Sequence, residues 1–429
     1  MNHVYYRLTL TLVSPASIGS GLEENTDCDI ALDSRKCPYI PGTALAGLFR
    51  ALVGNEDDKK KFFGEITPER SVQSPILVYD GKCVNFSKEK ISIRDSVALD
   101  EHKTAIHNMK FDFEIAETGL VFVAFIEIDK NHDDSFQVAA ERLIEGYLLP
   151  AVNSGAARLG HKSTRGYGQI SVGYQKRSFD LSSAKTLNKW LDFNMFDENS
   201  WKMNIETPEP FKDDSVEIIT IPLKLRGGIS IREYSTEAGP EENKEEHMPD
   251  YKQLALSDNR PVIPGTSWGG AFSGRMVNML KHSGYGREYV DDLFGYVTLQ
   301  TSDAQKSRIS FSETILANGV SKEITRNSID RFSGSTKHGA LYTEKAYYMG
   351  ITTLTIVMPR DLGIVKKLMY ACILDLCRGY LAVGGLTSVG RGLFELQEDQ
   401  EISIGEEKYT LEKLEGLVNE SVQSVETQA

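Results

Sequence analysis

A glycine-rich stretch near the middle of the chain occurs again towards its end. The first copy reads Leu159-Gly160-His161-Lys162-Ser163-Thr164-Arg165-Gly166-Tyr167-Gly168, and the second reads Val383-Gly384-Gly385-Leu386-Thr387-Ser388-Val389-Gly390-Arg391-Gly392. Aligned without gaps, the two copies share three glycine positions, and each carries hydroxyl side chains and an arginine. Glycines at this spacing permit positive φ angles and close backbone approach, so that exposed N–H groups can surround an anion. The repeat therefore predicts two related phosphate-binding loops.

A second motif is repeated upstream of each glycine loop. Ile40-Pro41-Gly42-Thr43 returns as Ile263-Pro264-Gly265-Thr266. The proline of the motif precedes the first glycine of the loop by 160 − 41 = 119 positions in one copy and by 384 − 264 = 120 in the other. Two motifs at a matched separation indicate an internal duplication. The chain is thus predicted to contain two copies of one domain.

The pattern of apolar residues predicts the same order of elements in both copies. In the first copy we predict a strand at 5–13, a helix from an N-cap at Thr43 to Arg50, strands at 91–97 and 120–128, a helix at 136–147 and a closing strand from 169. In the second copy we predict a strand at 218–225, a helix from Thr266, a strand at 351–358 and a helix at 364–376. The order β-α-β-β-α-β is that of a ferredoxin-like fold in the α+β class. It excludes dinucleotide-binding and P-loop folds, whose glycines lie between a strand and the next helix.

Composition and charge indicate which class of protein the chain belongs to. Of the 429 residues, 40% are hydrophobic and 25% charged, as in globular proteins, and no apolar run is long enough to cross a bilayer. The N-terminal segment has no signal-peptide pattern and the five cysteines form no CxxC pair, which predicts reduced thiols and a cytoplasmic protein. The formal net charge of −13 argues against a free-standing nucleic-acid binder, but a basic groove around the repeated loops is compatible with it.

The duplication divides the chain into four segments. We predict a first domain over residues 1–175, a joining segment over 176–215, a second domain over 216–395 and an acidic tail over 396–429. The joining segment contains two of the three tryptophans. Glutamates crowd residues 237–246 and again the tail, and such charge runs are usually solvated and mobile.

These motifs resemble the RAMP superfamily, the RNA-binding backbone subunits of type III CRISPR effector complexes. Members combine a ferredoxin-like, RRM-like core and a thumb insertion with an Ile-Pro-Gly-Ser/Thr turn and a C-terminal glycine-rich loop, and this chain carries both motifs twice. The tandem arrangement resembles the double-RAMP fusions of type III-D systems. The resemblance covers residues 1–175 and 216–395. It implies crRNA, complementary target RNA and other subunits of the complex as partners, and no membrane.

The resemblance also implies a catalytic aspartate in the loop before the Ile-Pro-Gly turn. The family's position falls on Asp27, after Gly19-Ser20-Gly21, and in the second copy on Asp250, because 264 − 250 and 41 − 27 both equal 14. The sequence around Asp250 departs from the family's pattern. A carboxylate beside a scissile phosphate can hold a divalent metal or position the 2′-hydroxyl, so Asp27 is the predicted ligand of Mg²⁺ or Mn²⁺. The alternative is that both are ordinary solvated loop carboxylates.

The same resemblance implies which residues contact RNA. Arg94 and Arg326 begin the thumb segments, whose apolar residues, at 97–109 and 329–342, are expected to insert between bases. Both arginines equally suit an ordinary protein surface. The glycine loops and the first helix supply the other predicted RNA contacts, which are Lys162, Ser163, Arg165, Thr387, Ser388, Arg391 and Arg50.

Three functions are compatible with these motifs. The first is an endoribonuclease that cleaves guide-paired target RNA within the assembled complex. The second is a non-catalytic crRNA-binding scaffold. The third is a metal-independent crRNA-processing endoribonuclease, which normally uses a histidine, and none of the eight histidines recurs at an equivalent position in the two copies. Removal of the metal by a chelator separates the first function from the third.

Overall fold

The structure is a computed structural model that describes residues 2–68, 70–99, 105–128, 134–155, 157–210, 214–233, 249–283, 286–298 and 303–426. The chain forms two units. The first unit comprises Met1–Ile93, Asp112–Ser163 and Tyr167–Asp213, and the second comprises Arg94–Phe111, Thr164–Gly166 and Asp214–Ala429.

The first copy of the repeat begins with a long strand that is central in its sheet. Its strands are β1 (Asn2–Leu12), β2 (Tyr39–Ile40), β3 (Glu65–Ile66), β4 (Ser71–Val72), β5 (Ile76–Val78), β6 (Gly81–Cys83), β7 (Ile91–Leu99), β8 (Ala105–Ala116), β9 (Val121–Ile128) and β10 (Ile170–Asp180). Its α-helices are α1 (Gly42–Leu52), α2 (Glu56–Phe63), α3 (Asp134–Leu143), α4 (Leu149–Asn153) and α5 (Ala184–Leu191). A π-helical turn over Ile144–Leu148 joins α3 to α4.

The first sheet is organised around β1, whose alternate residues are apolar and buried. The strand order is β10-β1-β9-β6-β2, with β5 also paired to β9. β1 is antiparallel to both of its neighbours, β9 and β10. The last strand of the repeat therefore lies beside the first, as in a ferredoxin-like fold, and the prediction of fold class is confirmed for this copy.

The start of the first helix differs from the prediction. Thr43 is predicted as the N-cap, but α1 begins at Gly42 and Thr43 lies exposed within the first turn. The Gly42 N–H donates a hydrogen bond to Asp80 Oδ1 at 2.7 Å. The prediction of Thr43 as the cap is wrong because a carboxylate from a turn far away in sequence satisfies the first helical N–H.

The second copy repeats the same plan with longer insertions. Its strands are β11 (Val216–Arg226), β12 (Gly228–Ile229), β13 (Arg232–Glu233), β14 (Tyr251–Gln253), β15 (Val262–Ile263), β16 (Tyr296–Thr298), β17 (Asp303–Gln305), β18 (Ser310–Phe311), β19 (Thr314–Ile315), β20 (Val320–Arg326), β21 (Tyr342–Tyr348), β22 (Ile351–Pro359), β23 (Leu393–Leu396), β24 (Ile402–Ile404) and β25 (Glu407–Tyr409). Its α-helices are α6 (Gly265–Ser283), α7 (Glu288–Phe294), α8 (Ile364–Cys377) and α9 (Leu411–Glu426).

The second sheet has the topology of the first. Its strand order is β18-β22-β11-β24-β25, and β23 also pairs with β11. The first strand of the copy, β11, is again central and antiparallel to β22, β23 and β24. Trp268 of α6 is fully buried against this sheet, with its ring centroid 5.1 Å from that of Phe394. Two tandem ferredoxin-like domains, as predicted, are therefore present.

The predicted joining segment, residues 176–215, begins within β10, which continues to Asp180, and its part from α5 to Trp201 packs on the outer face of the first sheet. Tyr5, Phe179 and Trp201 form a buried aromatic cluster there, and Trp190 packs against it. The Trp190 indole N–H donates to the Tyr5 hydroxyl at 3.0 Å. An RRM stacks bases on the open face of its sheet. In the first unit the chain itself covers that face.

The acidic tail is not simply a solvated segment, which corrects the expectation from its charge. It forms the hairpin β24–β25 and then helix α9. Leu414 is fully buried in the core of the second unit, and Leu411, Leu417 and Val418 pack partly buried beside it. Apolar residues at helical spacing give α9 one apolar face, which the count of glutamates conceals. The glutamate-rich stretch 237–246 lies outside the described residues.

Candidate nucleic-acid interface

The two glycine loops have the same backbone conformation. The shared glycines Gly160, Gly166 and Gly168 have φ of 76°, 90° and 76°, and Gly384, Gly390 and Gly392 have φ of 92°, 81° and 72°. Between them, Lys162 (57°) and Leu386 (54°) are also left-handed. Each loop contains a short 3₁₀ turn, over Ser163–Arg165 and Thr387–Val389. The gapless alignment of the sequences is therefore a structural equivalence.

The conserved geometry of these loops first serves to close them. The Leu159 N–H donates to the Gly168 carbonyl at 2.8 Å, and the Val383 N–H donates to the Gly392 carbonyl at 2.9 Å. A Cβ on Gly168 or on Gly392 would collide with the backbone of the residue at the other end of its own loop. Glycine is required here for close backbone approach. Binding of an anion, as predicted, would depend instead on the polar atoms that each loop exposes.

The exposed polar atoms differ between the loops. Arg165 and Ser388 are exposed, whereas Ser163 and Thr387 are half-buried. Lys162 is also half-buried, and its Nζ lies over the Phe113 ring, 2.9 Å from the centroid. Of the predicted contacts in the two loops, Arg165 and Ser388 are thus the ones that are exposed to a phosphate.

Arg391 has a different environment from the one predicted. It is only 6% exposed, and its guanidinium forms an ion pair with the buried carboxylate of Glu344 on β21. The same guanidinium lies 4.7 Å from the ring centroid of Tyr348. Arg391 aligns with Tyr167, which packs edge-on against Phe113. In this structure Arg391 fastens its loop to β21 and is not presented to solvent.

The two thumb arginines are likewise engaged with carboxylates. Arg94, which belongs to the second unit, is 4% exposed, and its Nη2 lies 3.5 Å from Glu313 Oε1 of the same unit. Arg326 remains 35% exposed, with its Nη2 3.3 Å from Glu344 Oε1. Arg326 can therefore reach solvent, whereas the Arg94 side chain is enclosed.

Arg50 lies exposed in the last turn of α1. It borders an open cavity of about 410 Å³ between α1 and β5, whose other walls include Gly47, Ile76 and Val78. The predicted RNA contact at Arg50 is thus accessible, at the edge of a mainly apolar hollow.

A buried carboxylate organises the loop that precedes α1. Asp29 accepts hydrogen bonds from the N–H groups of Glu24, Asn25 and Thr26, at 2.7, 3.0 and 2.9 Å, and from the Thr26 hydroxyl. Burial by itself would raise the pKa of the Asp29 carboxyl, but these hydrogen bonds outweigh burial and lower its pKa. Asp29 is therefore a structural anion that shapes the loop around Asp27.

Asp27 is exposed and is joined to strand β8 by two reciprocal hydrogen bonds. The Asp27 N–H donates to Asp112 Oδ1 at 3.0 Å, and the Asp112 N–H donates to Asp27 Oδ2 at 2.9 Å. Sequence reasoning did not identify Asp112, because it lies 85 positions away and only the folding of the loop against β8 brings it to Asp27.

Asp250 occupies the equivalent place in the second copy. It is exposed, and its Oδ2 accepts the N–H of Thr343 on β21 at 2.7 Å. The turns that follow also match, since Leu32 bridges to Pro38 and Ala255 bridges to Pro261. The spacing of 14 residues to the proline therefore marks a true structural equivalence of Asp27 and Asp250.

The two thumb segments form hairpins. Strands β7 and β8 pair in the first copy, and β20 pairs with β21 in the second. Part of the predicted segment 97–109 lies outside the described residues. In the second hairpin the tip is a turn stabilised by Asp330, and Phe332 there is fully exposed at 102%. Among the residues that the structure describes, this is the most exposed large hydrophobic side chain.

The oxygen atoms at the two aspartates differ in their suitability for a divalent cation. Across the described part of the chain, no group of three or more His, Cys, Asp or Glu side chains is arranged to hold a metal ion. Asp27 nevertheless presents an exposed carboxylate that Asp112 fixes through two hydrogen bonds, whereas Asp250 is held by the Thr343 N–H. Mg²⁺ is commonly held by one or two carboxylates together with substrate phosphates and water. The first site fits a cation that binds together with RNA.

Comparison with known proteins identifies the family. The family model of the RAMP superfamily matches residues 9–171 and 220–395, which is most of the chain and coincides with the two ferredoxin-like copies. A search of curated proteins found no match. Among the residues described, no helix has the length and apolar character needed to cross a membrane. The chain belongs to the RAMP superfamily, whose members are CRISPR-associated RNA-binding proteins, and it contains two RAMP domains in tandem.

Proposed function

We propose that this protein binds crRNA as a backbone subunit of a type III CRISPR ribonucleoprotein and cleaves guide-paired target RNA at Asp27 and Asp250. The observation that supports cleavage is the equivalence of the two aspartates. Both carboxylates are exposed, and each lies 14 residues before the proline that precedes the first helix of its copy. Each also accepts a main-chain N–H from the second strand of its thumb hairpin. Two carboxylates that were only solvated would not be expected to share this geometry.

The proposed chemistry needs a carboxylate held at a fixed place beside the scissile phosphate. A bound Mg²⁺ or Mn²⁺ would neutralise charge on the phosphate as the bond breaks. The side chain of Asp27 would hold it in the first copy, and that of Asp250 in the second. The aspartates would also orient the 2′-hydroxyl for in-line attack, and positioning of this kind contributes a large share of the rate.

Guide binding is proposed to be largely independent of base sequence. Arg165 and Ser388 of the glycine loops, Arg50 and Arg326 are accessible for phosphate contacts. The exposed ring of Phe332 suits stacking against a base. With a net charge of −13, the isolated chain is expected to bind free RNA poorly, and other subunits of the complex would complete the groove.

The test is cleavage of an end-labelled target RNA by the assembled complex in the presence of Mg²⁺. Asp27→Asn and Asp250→Asn should each remove one product, reducing that cut by roughly a hundredfold or more, while guide binding is retained. Glu23→Gln, an exposed carboxylate in the same loop as Asp27, is the matched control and should cut normally. A double variant that cuts like the wild type would exclude the nuclease function and support a crRNA-binding scaffold.

A chelator provides the second arm of the test. Loss of cleavage in EDTA, restored by Mg²⁺ or Mn²⁺, is expected for the proposed reaction. Cleavage that persists in EDTA would instead indicate metal-independent RNA processing.

A further inference from the structure

We infer that Asp112 is a positioning residue of the first cleavage site, and that Thr343 at the equivalent place makes the second site slower. The inference rests on the proposed function and deepens it, because it concerns the unequal rates of two sites that share one fold. It depends on three observations about strands β8 and β21.

The first observation is the ring of two hydrogen bonds between Asp27 and Asp112. Asp112 Oδ1 accepts the main-chain N–H of Asp27 at 3.0 Å, and the main-chain N–H of Asp112 binds the Asp27 carboxylate at 2.9 Å. Both the backbone and the side chain of Asp27 are therefore fixed by one residue. A carboxylate held in this way needs little further ordering when the substrate arrives.

The second observation is that Thr343 reproduces only half of the ring. Its N–H donates to Asp250 Oδ2 at 2.7 Å, as Asp112 does for Asp27. Its hydroxyl, however, lies 3.0 Å from the Thr325 hydroxyl across the hairpin. The threonine side chain is thus directed to β20 and not to the backbone of Asp250. The carboxylate is held in both copies, but the side-chain acceptor is present in the first only.

The third observation establishes that Asp112 and Thr343 are the same position. The residue after each contacts the same place in the glycine loop, since Phe113 packs against Tyr167 and Glu344 pairs with Arg391. Tyr167 and Arg391 coincide in the gapless alignment of the loops. The difference between aspartate and threonine is therefore a substitution at one position and not a shift of register.

One hydrogen bond of ordinary strength that orders the loop corresponds to a rate difference of roughly two- to tenfold. We expect the first cut to be faster than the second by about this factor. The apparent affinity for target RNA, measured from either cut, should be the same, because base pairing with the guide determines how tightly the target binds.

The test uses the assembled complex under single-turnover conditions, with an end-labelled target whose two products report the two sites separately. Asp112→Ala should slow the first cut roughly two- to tenfold and leave the second unchanged. Asp112→Asn retains an acceptor oxygen and should restore most of the rate. Thr343→Asp should accelerate the second cut, and Glu323→Gln, an exposed residue of β20, is the control for changes in that hairpin.

Hydrogen exchange of the segment that contains Asp27 provides a measurement independent of cleavage. Exchange should rise in Asp112→Ala and remain near that of the wild type in Asp112→Asn, because the amide oxygen still accepts the Asp27 N–H. Equal rates of cleavage and exchange in wild type and Asp112→Ala would overturn the inference. An Asp112→Asn variant as slow as Asp112→Ala would overturn it too, because the negative charge, and not the hydrogen bond, would then be responsible.

The two levels of proposal fail in different ways. Products that persist in the Asp27→Asn and Asp250→Asn double variant would remove the proposed function and this inference with it. Products that depend on Asp27 but are indifferent to Asp112 would overturn the inference alone and leave the nuclease in place.

Discussion

The glycine loops of the two copies have one backbone conformation but are supported by different chemistry. In the first copy Tyr167 packs edge-on against Phe113, with the ring centroids 5.7 Å apart. In the second copy the same two positions hold Arg391 and Glu344, a buried ion pair. The left-handed glycines are identical throughout. The comparison shows that close backbone approach requires glycine at Gly168 and Gly392, whereas an enclosed contact accepts either an aromatic pair or an ion pair.

The largest effect on stability is expected from breaking the ion pair of the second copy. Glu344→Ala would leave the guanidinium of Arg391 buried without its carboxylate, which costs about 3–5 kcal/mol. Denaturant unfolding measures the loss, which should be confined to the transition of the second unit.

The exchange of both residues sharpens the same prediction. Glu344→Phe combined with Arg391→Tyr installs the pair of the first copy and should recover most of the stability lost in Glu344→Ala. A deficit of about 1 kcal/mol should remain, because Arg326, which is 35% exposed, also loses Glu344 as its partner. A double variant as unstable as Glu344→Ala would show that the two loops are not interchangeable.

A somewhat smaller effect is expected where the copies are the same. Position 392 has a positive φ, and an alanine there would place its Cβ against the backbone of Val383. The free energy of unfolding of Gly392→Ala should therefore fall by about 3 kcal/mol. Gly390→Ala is the matched control, because its φ is also positive at 81° but nothing lies within 4 Å of the added Cβ. It should cost only about 1 kcal/mol, the strain of a left-handed alanine. Equal losses in the two variants would mean that close backbone approach is unimportant.

The loop that contains Asp27 and the loop that contains Asp250 differ at the position of Asp29. Its place in the second copy is taken by Lys252, so the buried carboxylate of the first loop has no counterpart at that position. Asp29→Ala should lower the stability of the first unit by about 1–3 kcal/mol, through the lost hydrogen bonds to charge. Unfolding of the first unit by urea measures this loss.

The pH dependence of Asp29 has a definite sign. Its pKa in the folded protein lies below the ordinary value of 3.8, so its contribution is fully present above that value. It is lost as the pH falls through the lowered pKa. The stability difference between wild type and Asp29→Ala should therefore shrink on acidification below about pH 4, and a difference that stays constant would contradict the assignment.

The smallest effect on stability is expected at Arg165, which is exposed where Arg391 is enclosed. Arg165→Ala should change the unfolding free energy by no more than about 0.5 kcal/mol. It should weaken RNA retention by the complex and reduce the slope of log affinity against log salt by about 0.7–0.9. RNA binding with an unchanged salt slope would show that Arg165 makes no phosphate contact.

The sequence by itself determined the duplication, the ferredoxin-like order of elements and the equivalence of Asp27 and Asp250. These features are local or periodic. A glycine with positive φ, an alternating strand and a constant distance of 14 residues to a proline are properties of neighbouring residues, and they remain visible without any fold.

Only the tertiary structure decided the partners of those residues. Asp80 caps α1, Asp112 holds Asp27, and Glu344 encloses Arg391, each from a segment distant in sequence. An arginine in a polar loop has the same local sequence whether it meets a phosphate or a buried carboxylate. Its role depends on the charge that the packed strands place beside it, and strand pairing over long separations is not encoded in any single stretch.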